Sequence, residues 1–184
     1  YRIGINYTNN LNFINVIEPE MRAFAKEVGK TVFFGVRSDH EVVYICKTEP
    51  ENPIITTATV GTKNPMYCTS LGKAILAYSD EETCGQILAR MKFKKHTERT
   101  ITDRESLKRE LERVRDQGYA LDEREVEEHM ECVGAPVFGP DGSVVGALSV
   151  SSLYKPTEDY EQLGRLTAKK AAEVSKLLGF LGKI

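Results

Sequence analysis

The sequence has no excess of positive charge. Its 184 residues include 25 Lys and Arg against 27 Asp and Glu, a formal net charge of -2. A domain that binds duplex DNA by neutralising phosphates usually carries clustered Lys and Arg. In the run KRELERVRD (108–116) the charges alternate in sign, which is typical of the solvated face of a helix. The chain itself is therefore not expected to contact DNA.

Paired cysteines are also missing. The four cysteines stand at positions 46, 68, 84 and 132, and no CxxC motif occurs. This spacing is typical neither of a disulfide framework nor of a structural zinc ribbon. It predicts reduced thiols in a cytoplasmic protein.

Long apolar runs are absent as well. Clearly apolar stretches such as 144–150 are far shorter than the roughly 20 residues that cross a membrane as a helix. The opening stretch YRIGINYTNN has no apolar signal-peptide core. We therefore expect no membrane partner and no signal peptide. The length suits one compact domain with one ordinary core.

Helix and strand patterns alternate along the chain. The first half predicts a helix that Asn10 or Asn12 caps and Gly29 ends, and strands over 31–37, 41–49 and 52–61. It also predicts a short helix from CTSLGKAILAY (68–78), which Thr69 or Ser70 caps, and another from Ser79 onward. Its third strand, NPIITTATVG, includes Ile55 and has a threonine-rich, half-wet face.

The second half contains the most regular helix and three more strands. Thr102 or Asp103 caps a helix that ends at Gly118. Strands are predicted over 119–125, 130–138 and 143–153, and Thr157 caps a long final helix over 158–181. This order predicts one α+β domain built on an antiparallel sheet flanked by helices.

The segment SLGKA is not a phosphate-binding loop. That motif needs Gly five positions before its Gly-Lys pair and Ser or Thr after it, where this sequence has Tyr67 and Ala74. Gly72 is instead predicted to be a close-packing glycine in a helix, with Lys73 pointing outward.

Two serines near the end of an apolar strand form the first candidate site. In SVVGALSVSSL, Ser149 and Ser151 share one face because side chains alternate along a strand. Two such hydroxyls can bond one carboxylate or hydroxyl group. Cys132 lies on the preceding strand and Asp122 near the end of the one before, so these residues predict a polar cup with apolar walls.

Other chemistry is open to some of the same residues. Cys132, His129 and Asp122 are the right types for a nucleophilic thiol with its base, and Cys68 is a second candidate thiol. Residues three apart on a strand face opposite sides, which argues against a Cys132–His129 pair. Together with Cys68 these three residues could alternatively hold zinc. The plainest interpretation of a free cysteine is a small buried hydrophobe.

The ordered segments resemble the effector-binding domain of the IclR family of bacterial transcriptional regulators. They are GTKNPMYCTSLGKAILA (61–77), TITDRESLKRELERVRDQGYALDERE (100–125), ECVGAPVFGPDGSVVGALSVS (131–151) and the closing helix. The resemblance covers essentially the whole chain. It implies a GAF-like, profilin-like fold, a curved antiparallel sheet flanked by helices, with a small metabolite bound on the sheet.

The resemblance also implies site residues. The family's pocket corresponds to Ser70 and Leu71 at the start of a helix, to Asp122 and Cys132, and to Ser149 and Ser151, with Met66 and Tyr67 at the mouth. The implied ligand is a small organic acid or sugar acid. No Arg falls at the matched positions, so hydroxyl and amide groups would hold an anion.

The resemblance further implies how the chain works. Residues 1–184 are expected to form an effector-binding and oligomerisation domain of a homodimer or homotetramer, without enzymatic activity or cofactor. DNA would be bound only by a winged helix-turn-helix domain preceding Tyr1, and the regulator could be a repressor or an activator. The alternatives are a GAF-type thiol enzyme using Cys68 or Cys132 and a metal sensor.

Overall fold

Five helices and six strands make up the described part of the chain. A computed structural model describes residues 2–54 and 56–182, with side chains from Phe13 onward. The helices are α1 (Arg2–Val28), α2 (Ser70–Tyr78), α3 (Glu81–Arg90), α4 (Arg104–Gln117) and α5 (Tyr160–Leu177). The strands are β1 (Thr31–Ser38), β2 (Glu41–Thr48), β3 (Lys63–Pro65), β4 (Ala120–Glu123), β5 (Met130–Phe138) and β6 (Val144–Leu153). Within those residues, no helix is both long and apolar enough to span a bilayer.

All six strands form one antiparallel sheet in the order β3-β2-β1-β6-β5-β4. Its centre is the pairing of β1 with β6, which joins two meanders that are distant in sequence. Helices α1 and α5 pack on one face, and α2 packs on the other with α4 behind it. The predicted α+β fold, a curved antiparallel sheet flanked by helices, is confirmed.

The period-two alternation of the strands divides the core into two layers. Phe33 and Ala147 face the α2 side, where they join the cluster around Leu71 and Leu107. Their chain neighbours point the other way, and Leu148 packs with α1 and α5. The sheet therefore has no solvated face, and a ligand cavity must displace part of one layer.

Several predicted helix ends are confirmed. The Thr69 hydroxyl accepts a hydrogen bond from the Gly72 N–H at the start of α2, and Asp103 caps α4 in the same way. Gly118 ends α4 with a positive φ of 84°. The cap of α5 is Asp159 instead of Thr157.

The first helix starts earlier than predicted. Helix α1 already runs through positions 10 and 12, so the predicted caps Asn10 and Asn12 stand inside it, and their side chains lie outside the described residues.

The prediction of a strand over 52–61 is wrong for the described residues of that stretch, and Ile55 lies outside them. Regular pairing with β2 is made instead by β3, after a first contact in which the Gly61 N–H donates to the Tyr44 carbonyl. Threonine side chains bond locally: the Thr56 hydroxyl donates to the Ala58 carbonyl, and the Thr59 N–H donates to Thr62. Such local bonds compete with a strand ladder.

Gly72 is close-packed, as predicted. A Cβ atom at this position would lie 2.3 Å from the Met66 Cα and 2.5 Å from the Met66 carbonyl oxygen. Both are backbone atoms that no rotamer change can move, so only glycine lets α2 lie against the segment before it.

Lys73 does not point outward, and that prediction is wrong. Its side chain is 1% exposed, and its Nζ donates to Glu125 at 2.5 Å and to Glu110 at 3.2 Å. Burial alone would lower the pKa of Lys73, but the two carboxylates raise it above its ordinary value. The ammonium is therefore held as an ion between α2, α4 and the loop after β4.

Gly72→Ala is expected to lower the free energy of unfolding by several kcal/mol, because the new methyl group must displace backbone, as in severe overpacking. Gly85→Ala in α3 is the matched control, since nothing lies within 4 Å of a Cβ there. We expect this control to raise stability by about 0.5–1 kcal/mol. Urea titration of both variants checks this, and equal effects would contradict the packing argument.

Lys73→Met is expected to lower the free energy of unfolding by about 3–5 kcal/mol, because it leaves Glu125 charged and buried without its partner. The double variant Lys73→Met/Glu125→Leu should lose less than the single one. Urea unfolding of the single and double variants measures the coupling. Additive losses would show that the pair does not act as a unit.

Candidate functional site

A small cavity of about 110 Å³ opens on the α2 side of the sheet. It lies between β1, β2, β5 and β6, the loop after β4 and the coil before β3. The lining residues are Phe33, Tyr44, Thr56, Thr57, Ala58, Thr62, Asn64, Asp122, Val126, Glu127, Met130, Cys132 and Ser151. We call this the sheet cavity.

Three of the predicted site residues line the sheet cavity together. Asp122 on β4 is the register partner of Cys132 on β5, which in turn is the partner of Ser151 on β6. The Cys132 Sγ lies 3.2 Å from the Ser151 Oγ. Directly opposed residues of neighbouring strands point to the same face, so the sheet register places a carboxyl, a thiol and a hydroxyl in one row.

Ser149, Ser70 and Leu71 lie beside this row without lining the cavity. Ser149 shares its face with Ser151 and is paired with Gly134. A Cβ atom on Gly134 would lie 2.7 Å from the Ser70 carbonyl group, so the start of α2 presses directly on the sheet there. Ser149, Ser70 and Leu71 are all buried. Because the cavity lining does not include these three residues, their contact with a ligand stays a prediction.

Met66 and Tyr67, expected at the mouth, are placed elsewhere. Met66 is fully buried, and Tyr67 is 2% exposed. The Tyr67 hydroxyl donates to the Lys94 carbonyl at 2.9 Å and lies 3.3 Å from the His96 ring. Neither residue lines the sheet cavity, because both belong to the packing between α2 and the segment before α4.

Asp122 supplies the buried charge of the sheet cavity. Its Oδ1 accepts the Glu125 N–H at 2.8 Å, and its side chain is deeply buried. Burial raises the pKa of Asp122 to about 7, against the opposing influence of Lys73. No Lys, Arg or His is among the described residues that line the cavity. Near neutral pH this carboxyl is divided between its charged and neutral forms.

The two candidate thiols have no activating surroundings. Burial raises the pKa of Cys68 and of Cys132 well above the ordinary value, and Asp122 adds to the effect at both. A nucleophilic cysteine needs the opposite shift, toward the thiolate. This geometry does not favour the thiol-enzyme alternative.

His129 does not join Cys132. It lies in the turn before β5 and lines a separate surface cleft with Thr97 and Arg124. Across residues 2–54 and 56–182, no group of three or more His, Cys, Asp or Glu side chains is arranged to hold a metal ion. The geometry therefore does not assemble the proposed zinc set of Cys68, Asp122, His129 and Cys132.

Sequence reasoning missed the wall of the sheet cavity that faces this row. Tyr44 on β2, Asn64 on β3, the threonines of the coil and Glu127 of the loop after β4 form that wall. The Thr57 hydroxyl donates to the Glu127 Oε1 at 2.8 Å and so joins the coil to the loop. The threonine-rich composition of 52–61 indicated a polar face, but it could not show that this face bounds a cavity.

The sequence matches bacterial transcriptional regulators over nearly its whole length. The family description "Bacterial transcriptional regulator IclR C-terminal" matches residues 5–176. The transcriptional regulator KdgR of Escherichia coli is 31% identical over 182 residues, covering 98% of this chain and 69% of the regulator. The same regulator from Dickeya chrysanthemi is 32% identical, and the match covers 82% of this chain but only 50% of that protein.

Solved structures agree with these sequence matches. Thermotoga maritima IclR superposes with a TM-score of 0.87 at 32% identity, over 96% of this chain and 74% of that chain. The C-terminal domain of E. coli KdgR gives a TM-score of 0.81 at 32% identity, over 91% of this chain and 99% of that domain. The chain belongs to the IclR family of bacterial transcriptional regulators and corresponds to its C-terminal, effector-binding domain.

Proposed function

We propose that the sheet cavity and the start of α2 bind the small-molecule effector of this regulator. The observation that carries this proposal is the row of Asp122, Cys132 and Ser151, which the strand register brings into one cavity in a member of a regulator family. A concave site with apolar walls and a few convergent polar groups is the usual form of a small-molecule site.

The effector is a small organic acid or sugar acid under this proposal. Its carboxylate would lie toward Ser149 and the first turn of α2, where backbone N–H groups and the positive end of the helix favour an anion. The first turn of α2 contains no acidic residue that would compete for these donors. Met66 and Tyr67 would then support the turn from behind instead of touching the ligand.

The proposal extends to the whole regulator. Residues 1–184 would sense the effector and join copies into a homodimer or homotetramer in the cytoplasm, without catalysing a reaction. DNA would be bound by a winged helix-turn-helix domain elsewhere in the protein, with effector and operator coupled by typically about 1–3 kcal/mol. Because two sites on one molecule are linked, an operator fragment must change effector affinity by the same factor.

Ser149→Ala/Ser151→Ala is expected to weaken effector binding at least about tenfold, because two hydroxyl donors to a charged group are removed. The measurement is titration calorimetry against small organic acids, sugar acids and aromatic acids. Ser143→Ala is the control, since the hydroxyl of that exposed serine bonds only the neighbouring Asp141 and lies on a turn away from the sheet cavity. Unchanged affinity in the double variant would refute the site.

Asp122 suits an acidic effector in its neutral form. A protonated carboxyl does not repel a carboxylate and has a proton to donate to it. The ionised form repels a carboxylate and has no proton to donate. The raised pKa of about 7 supplies this neutral form under ordinary conditions.

The raised pKa of Asp122 has a consequence for stability. Its ordinary value is 3.8, so between about pH 4 and pH 7 the folded chain holds a proton that the unfolded chain has released. The free energy of unfolding must then fall as pH rises through this window, by at most about 1.4 kcal/mol per pH unit from this group. Asp122→Asn should remove that contribution, as urea titrations at several pH values would measure. Parallel pH profiles for the two proteins would show that Asp122 titrates normally.

A further inference from the structure

The wall of the sheet cavity opposite the Asp122 row has a defined hydrogen-bond polarity. Tyr44 on β2 and Asn64 on β3 both line the cavity, and the Asn64 Nδ2 donates to the Tyr44 hydroxyl oxygen at 3.1 Å. Val42, two residues before Tyr44, is the register partner of Asn64, so neighbouring strands hold the two side chains. The Tyr44 ring is fixed against Phe33, with 5.1 Å between ring centroids.

The direction of this bond leaves one donor free. Since Tyr44 accepts from Asn64, its own O–H must donate to another group, and within the described residues it has no protein acceptor. Burial raises the pKa of Tyr44, so the proton stays on the oxygen at physiological pH. Tyr44 is only 8% exposed, which restricts access to bulk water.

The remaining groups of this wall act mainly as acceptors. Asn64 keeps its carbonyl Oδ1, while the protons of Thr56 and Thr57 are already donated to the Ala58 carbonyl and to Glu127. Glu127 adds carboxyl oxygens. A ligand group here must therefore offer protons and accept one from Tyr44.

We propose that the Tyr44–Asn64 pair selects the effector through a ligand hydroxyl, which accepts from the Tyr44 O–H and donates to the Asn64 Oδ1. This inference rests on the proposed effector site and makes the ligand a polyhydroxylated acid. Carboxylate oxygens at this wall would face the acceptor oxygens of Asn64 and Glu127. An alkyl or aryl group would leave the Tyr44 proton and the Asn64 carbonyl unpaired, which is the costly case for buried polar groups.

Three matched probes test the inference by titration calorimetry. D-Gluconate has a carboxylate and hydroxyls, hexanoate has the same number of carbons without hydroxyls, and D-glucitol has hydroxyls without a carboxylate. Wild-type protein should bind gluconate at least about tenfold more tightly than hexanoate. Tyr44→Phe should weaken gluconate about three- to tenfold, the effect of one neutral hydrogen bond, and should leave hexanoate binding unchanged or tighter, because no hydroxyl proton is then left unpaired.

Asn64→Ala gives a second test, because it removes the Oδ1 acceptor of the ligand hydroxyl together with the Nδ2 donor to Tyr44. The double variant should lose less than the sum of the single losses, since both side chains bind one hydroxyl. Tyr78→Phe is the control, because its hydroxyl bonds the Arg115 carbonyl outside the sheet cavity. Circular dichroism and urea titration check that each variant is folded.

Each outcome bears on one proposal. Equal affinity of the wild type for hexanoate and gluconate, or equal weakening of both by Tyr44→Phe, would overturn the selection by hydroxyl and leave the effector site standing. A preference for aromatic acids would do the same. Tight binding of glucitol would support the hydroxyl contact. If no acid of the whole panel binds, the proposed effector site fails.

Discussion

The buried ammonium of Lys73 is the constraint on which the geometry of the site depends. An unpaired charge in a protein interior costs several kcal/mol, so Lys73 on α2 cannot be buried unless Glu125 and Glu110 come to it. Glu125 follows β4 and Glu110 lies on α4, so the ion cluster determines how three elements meet. The N–H of Glu125 in turn holds the Asp122 carboxyl. The position of the main polar group of the sheet cavity therefore follows from a charge that lies outside it.

The loop between β4 and β5 is under backbone strain that hydrogen bonds offset. Arg124 has a φ of 64°, a left-handed conformation that costs most non-glycine residues of the order of 1 kcal/mol or more. The Thr97 hydroxyl donates to the Arg124 carbonyl at 2.8 Å, and the Thr100 hydroxyl donates to the Glu125 carbonyl at 2.7 Å. The Arg124 guanidinium lies 3.9 Å from the ring centroid of Tyr154. This turn sends Arg124 away from the cavity and leaves the lining free of cations.

The sequence predicted the local features of this molecule well and the distant ones poorly. Strand alternation correctly placed Ser149 and Ser151 on one face, and capping chemistry located Thr69 and Asp103, because both depend on neighbouring residues. Lys73 was misplaced because its partners lie 37 and 52 residues away, and a lysine in a short helix normally points to solvent. The stretch 52–61 has the composition of a strand and was predicted to be one. It does not pair as a strand because β3 occupies most of the free edge of β2. The wall of the sheet cavity that faces the Asp122 row was also missed, because its residues are distant in sequence from that row and only the folded sheet brings them together.

The far wall of the sheet cavity and the region beside the cavity at the start of α2 have opposite hydrogen-bond character, which orients a ligand under the proposals made above. The start of α2 and the serines of β6 offer donors, whereas the wall formed by Asn64, Glu127 and the coil offers mainly acceptors. A carboxylate is an acceptor and a hydroxylated chain is rich in donors, so a polyhydroxylated acid fits in only one direction. Reversing it would set the carboxylate against the Asn64 Oδ1 and Glu127 with no cation among the described lining residues to compensate. Orientation therefore requires no arginine, since the sheet register and the start of α2 already separate donors from acceptors.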